Sequence, residues 1–168
     1  MKPAVKPARQ EDGIGWSRLG AAFLITYAVV VVTGIAPGVL RRLQARDLYL
    51  AASGLALAGL VAYQFKLSLA RMDRRPIGPA AVARHRIVGA VLPLGLLLHA
   101  PSFGYGYLLM LSVVFATALV LGLVARGVRS LHRRVSWLYD AWFISHIAVS
   151  VLLVALIAFH IVIALAYE

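Results

Sequence analysis

Residues 141–167 read AWFISHIAVSVLLVALIAFHIVIALAY, an apolar run that carries His146 and His160 fourteen residues apart. An earlier apolar segment repeats the interval with His85 and His99. Fourteen residues of α-helix rise about 21 Å and rotate to within about 40° of a whole number of turns. Each pair therefore lies on one face of its helix, with one imidazole near each side of a bilayer. Side by side, two such helices present two His–His clamps stacked across a membrane, which is what two bis-histidine haems need.

Composition supports a membrane setting. The chain has 168 residues, one domain at most, of which 62% are hydrophobic and 14% charged, and its mean hydropathy is +0.87. These values belong to integral membrane proteins. There is no cysteine, which excludes disulfides, iron–sulfur clusters, thiolate haem ligation and cysteine-based zinc sites. The net charge of +11 reads as loop Lys/Arg rather than a nucleic-acid surface, because no soluble stretch is long enough to form a basic groove with stacking aromatics. Residues 1–16 form a basic, proline-bearing arm, expected to be a disordered cytoplasmic tail. The apolar run after it is too long for the core of a cleavable signal.

Five spans are predicted: Leu19–Leu40, Leu48–Leu69, Arg84–Pro101, Tyr105–Ala125 and Ala141–Tyr167. Gly54 and Ala58 in the second form a small-xxx-small face for close helix contact. The stretch Ser102–Gly106 is a tight turn between the third and fourth. With five spans, fourteen Lys/Arg fall on one side (the tail with Arg18, the 2–3 loop and the 4–5 loop) and three, Arg41, Arg42 and Arg46, on the other. The bias places the N-terminus in the cytoplasm and the C-terminus outside. Merging spans three and four would move four arginines across and spoil it. Trp16, Trp137, Tyr139 and Trp142 flank the inner ends, and Tyr49, Tyr105, Tyr107 and Tyr167 the outer ends, as interfacial belts do.

Spans three and five run parallel in this topology, so the cross-helix pairs are His85 with His146 on the inner side and His99 with His160 on the outer side. The expected cofactors are two haem b groups, one per pair, with irons about 20 Å apart along the membrane normal by helix rise. Intramembrane ionisable residues are costly and usually functional. Zinc is disfavoured, because no carboxylate or thiolate lies inside any predicted span. His132 precedes His146 by fourteen residues too, but its polar surroundings make it a loop histidine. Arg84, Arg86, Arg133 and Arg134 read first as topology and headgroup contacts; alternatively they pair with the propionates of the inner haem, since guanidinium binds carboxylate in a two-bond fork. Gly89, one turn after His85, would let a porphyrin approach the backbone, and helix packing explains it equally well. Tyr27, Tyr63 and Trp142 are candidates for lining the bundle.

At these residues the sequence resembles the ferric reductase-like transmembrane domain, the haem module of ferric reductases and NADPH oxidases. His85-Arg86-Ile87-Val88-Gly89 through to His99 is similar to the family's histidine-basic-x-x-small opening and its second histidine. Tyr139-Asp140-Ala141-Trp142 leading to His146 is close to its Tyr-acidic-x-aromatic approach to the ligand, and the helix continues to His160. The resemblance covers residues 19–168 and implies haem ligands on the third and fifth helices. The family's fifth-helix spacing is often one residue shorter, a difference a helix can absorb. A sixth helix and the flavin- and nicotinamide-binding module that follows it in the family have no counterpart here, and no Gly-rich dinucleotide motif is present.

The expectation is an all-α, five-helix haem-binding bundle, residues 17–168, in a bacterial inner (plasma) membrane. Its expected role is a di-haem b-type cytochrome, an oxidoreductase component without its own flavin domain. It would carry electrons from a separate cytoplasmic-side donor (flavoprotein, quinol or redox subunit) to an outer acceptor or redox partner. The alternatives are a quinol-interacting cytochrome b anchor of a respiratory complex and a haem-free structural subunit. Membrane lipid is an expected partner; nucleic acid is not.

Overall fold

The computed structural model describes residues 12–100, 102–131 and 135–167, and every regular element among them is helical. In chain order they are α1 (Asp12–Thr33), α2 (Gly38–Gln44), α3 (Asp47–Gln64), α4 (Lys66–Met72), α5 (Pro79–His99), α6 (Tyr107–Leu131) and α7 (Ser136–Tyr167). Five helical segments are long and apolar enough to cross a membrane: Gly15–Thr33, Asp47–Ala70, Pro79–His99, Tyr107–Leu131 and Trp137–Tyr167. The count agrees with the sequence reading; several boundaries do not.

The first helix begins at Asp12, inside the stretch expected to be a disordered arm, and stops at Thr33, seven residues before the predicted end. Gly34 ends it in the left-handed conformation, φ +67°, with its N–H bonded to the Val30 carbonyl at 2.9 Å. Pro37 then prevents continuation, and the chain restarts as α2. The second span is interrupted at Phe65, whose N–H bonds back only three residues, to Ala62. The third span opens at Pro79, five residues earlier than predicted, because Gly78 caps it and proline fits the first helical position. It ends at His99. Ala100 is extended, φ −128° and ψ 106°, the conformation a following proline imposes. The fourth and fifth helices run past their apolar segments into polar sequence, so Asp140, predicted to lie outside the last span, is an exposed residue within α7.

α5 is the hub, packed against α1, α3 and α6, while α7 packs on α6 and touches α3. A shared core of Tyr27, Leu57, Val61, Leu96, Phe115 and Leu153 ties the helices together. Tyr27 is 1% exposed and meets Phe103 edge-on at 5.9 Å; Ser112 Oγ donates to the Phe103 carbonyl at 3.2 Å, fixing the turn before α6. In lipid, close contact rather than water exclusion would hold such a bundle. Gly20 supplies one such contact: a Cβ there would stand 3.0 Å from the Ala90 α-carbon. The outward faces are correspondingly apolar, with Ile25, Leu48, Val162 and Leu165 all exposed. The alternating helices give the bundle two ends. We call the basic end the one where α1, α5 and α7 begin.

Candidate functional site

α5 and α7 do not pack backbone to backbone. No α-carbon of one comes within 8 Å of an α-carbon of the other among the described residues. Four imidazoles reach into that interval. His85 of α5 and His146 of α7 meet at the basic end, ring centroids 6.4 Å apart and planes at 88°. His99 and His160 meet at the opposite end, at 6.3 Å and 71°. The cross-helix pairs are those the spacing predicts. A metal held by two imidazoles at about 2.0–2.1 Å from each nitrogen places the ring centroids about 6.3 Å apart. An ordinary edge-to-face ring pair has the same range, so the parted helices are the more telling feature: the pairs span a gap rather than fill a packed seam.

The basic-end pair lines an open cavity, about 740 Å³ when the space in its mouth is counted. Gly89 of α5 and Gly122 of α6 line it together with Phe115 and Leu119, and Trp16, Ser17 and Arg86 stand at the basic end of it. Gly89 lines the cavity, and Gln64 lies opposite, 3.0 Å from where a Cβ would be. Trp142 stacks on His146, planes 7° apart at 5.7 Å, and its indole N–H is anchored on the Leu121 carbonyl at 2.8 Å. His146 Nδ1 is buried without a hydrogen-bond partner among the described residues, an arrangement that costs energy unless a ligand shares the site. Gln64 Nε2 donates to the His85 carbonyl at 3.1 Å.

The opposite pair is braced differently. Ser53 Oγ lies 3.2 Å from His99 Nδ1 and the Tyr107 hydroxyl 3.5 Å from His160 Nδ1. With Nδ1 engaged by a hydroxyl, Nε2 is the nitrogen left to bind a metal. The His99 ring lies against α3 at Gly54, where a Cβ would be 2.8 Å from its Cε1. The small residue at 54, expected to serve helix–helix contact, makes room for an imidazole. Gln44 Nε2 donates to the Leu97 and Leu98 carbonyls, both at 3.0 Å, and the Tyr49 hydroxyl donates to Leu98 at 3.2 Å. The end of α5 beside His99 is therefore held from α2 and α3.

Of the arginines, Arg86 lines the first cavity and Arg84 lies on its own side of α5, exposed. Arg133, Arg134 and His132 fall outside the described residues. Arg41 donates to the Gly34 carbonyl, which makes it a brace for the end of α1. Tyr27 belongs to the core, and Tyr63 lines a second cavity. Sequence reasoning missed Gln64, Ser53 and Pro93, which is buried inside α5 between its two histidines. An amide within an apolar span was the available signal for Gln64. Among the described residues no three His, Cys, Asp or Glu side chains converge; the imidazoles meet in pairs. No protein-family model, curated protein or solved structure matches the chain.

Proposed function

We propose that the protein is a di-haem, b-type electron-transfer subunit that conducts electrons across a membrane, with its N-terminus on the cytoplasmic side. The observation that carries this reading is the presence of two imidazole pairs at 6.4 and 6.3 Å, one at each end of a gap between parallel helices. The residues fit the group on three counts: the separation suits axial ligation, the helices are parted where a planar group would lie, and glycines line the cavity beside His85. When bound, haem supplies a one-electron ferric/ferrous couple.

The chain's own contribution is ligation, orientation and exclusion of water. His85 and His146 would hold the inner group and His99 and His160 the outer one. Trp142 keeps the His146 ring from rotating; Ser53 and Tyr107 fix which nitrogen of the outer pair faces inward. Arg86, which lines the cavity beside His85, would offset propionate charge on the basic side. The orientation rests on the Lys/Arg bias of the loops.

The reading is tested in proteoliposomes loaded with ferricyanide and given an impermeant reductant outside. Trans-bilayer electron flow is expected for the haem-loaded wild type. His146→Ala and His160→Ala are each expected to reduce it to the protein-free leak rate. Flow that persists in both variants, or a haem-loaded wild type that never exceeds the leak, rules the proposal out.

A further inference from the structure

Gln64 is the last residue of α3, and its side chain crosses to α5, where Nε2 donates to the His85 carbonyl at 3.1 Å. Within the helix the same carbonyl accepts the Gly89 N–H, four residues on. The amide therefore joins an existing bond from the side and needs room beside the Gly89 α-carbon. A Cβ at Gly89 would stand 3.0 Å from Nε2, and outside α5 no other described atom lies within 4 Å of that point. Unstrained contacts keep about 3.5 Å, so the amide would have to retreat by about 0.5 Å. That carries a 3.1 Å bond to the edge of the hydrogen-bonding range. The missing side chain at Gly89 is what admits Gln64.

The bond adds little to stability. Gln64 Oε1 is buried with no partner among the described residues, a cost at least as large as the gain from one neutral hydrogen bond. A leucine would avoid that cost and leave the His85 carbonyl its helical partner. What the amide supplies is position. α5 opens at Gly78 without a side-chain cap, and α7 does not pack against its backbone. The other end of α5 is gripped in the same manner: Gln44 Nε2 donates to the Leu97 and Leu98 carbonyls beside His99, and its Oε1 too has no partner among the described residues. One amide holds the helix at each histidine.

We propose that Gln64 is the positioning residue of the inner clamp, fixing through the gap at Gly89 the turn of α5 that presents the His85 ring to His146. Trp142 steadies His146 by stacking on its ring; Gln64 steadies His85 through its backbone. The consequence for haem rests on the function proposed above; the coupling of Gln64 to Gly89 and α5 does not.

The test uses the full chain in nanodiscs, with His99→Ala so that only the inner pair is intact. Gln64→Leu is expected to leave the thermal transition of the haem-free chain unchanged and to speed hydrogen exchange of its 82–89 amides. Haem binding should weaken by about 2- to 13-fold, the range one hydrogen bond spans. The ferric low-spin resonance should shift as well, because the His85 ring, at 88° to His146, loses a contact that sets its angle. Gln64→Asn, one methylene short of the carbonyl, should behave in the same way. Gly89→Ala should reproduce the loss of affinity when Gln64 is present and add nothing to Gln64→Ala, where the methyl has room. If Gly89→Ala weakens binding equally with and without Gln64, the glycine serves the porphyrin and the inference is overturned. It is overturned too if Gln64→Leu lowers the thermal transition while exchange, affinity and resonance stay put, which marks a structural contact only. A colourless wild type whose exchange responds to Gln64→Leu keeps the grip on α5 and removes the haem proposal; a two-haem wild type indifferent to Gln64→Leu does the reverse.

Discussion

A single methyl group at Gly54 should separate the two proposed haem sites. The Cβ of an alanine at this position would lie 2.8 Å from His99 Cε1 and 3.3 Å from Nδ1, against about 3.5–4.0 Å for unstrained carbon contacts. The ring would have to retreat by about 0.7–1.2 Å. It cannot do so freely, because Ser53 holds its Nδ1 at 3.2 Å and an axial bond would fix its other nitrogen. Overpacking of this kind costs about 1–3 kcal/mol, which corresponds to about 5- to 150-fold in affinity at the outer site. Gly59, on the same helix, has nothing within 4 Å of the equivalent position. Gly59→Ala should bind haem as the wild type does and gain up to about 1 kcal/mol of helix stability. The assay is haem titration of each variant in a His85→Ala background, where the outer pair alone would be intact. Gly54→Ala should shift the titration to weaker binding and Gly59→Ala should not. Equal titrations would refute the packing argument, and so would a Gly54→Ala chain that, with His85 present, loses the inner signal and keeps the outer one.

Three further expectations follow from individual contacts. With haem held on Nε2, Nδ1 would carry the proton that the Ser53 and Tyr107 hydroxyls accept, so Ser53→Ala and Tyr107→Phe should weaken the ferric form and raise the outer midpoint potential. With a hydrogen bond worth about 0.5–1.5 kcal/mol, the ceiling is about 20–65 mV for one electron, and redox titration should show the inner potential unmoved. Trp142→Phe keeps a ring on His146 but loses the bond to the Leu121 carbonyl, costing about 1 kcal/mol; Trp142→Ala should cost more and broaden the inner-haem spectrum. Gln44→Leu strands the Leu97 carbonyl and leaves Leu98 with the Tyr49 hydroxyl alone; it should lower stability by about 1–3 kcal/mol, read as an earlier thermal transition with preferential loss of the outer haem.

The five spans were legible because hydropathy and loop charge report the bilayer directly. The ends were not, because a helix stops where hydrogen bonding stops, not where apolar sequence does. α7 starts at Ser136 and α6 continues to Leu131 through polar residues that no hydropathy window includes. α1 stops early at a left-handed Gly34 that apolar sequence runs straight past. The histidine pairing was legible for a different reason: a fourteen-residue interval fixes face and depth together, and two copies of it fix partners. The bracing was hidden. Ser53, Gln64 and Tyr107 occur once each, with no periodicity to mark them, and only the approach of α3 or α7 gives them a role. Gly54 shows both sides, since its small size was readable and the imidazole it admits was not.

The central claim is tested most directly by counting haem in the wild type and in the single histidine variants, with pyridine haemochrome for stoichiometry and reduced-minus-oxidised spectra for identity. The account predicts two b-type haems per chain in the wild type. His85→Ala and His146→Ala should each retain the same single haem, and His99→Ala and His160→Ala should each retain the other. A folded, colourless wild type, or a His85→Ala chain that keeps both signals, would contradict it.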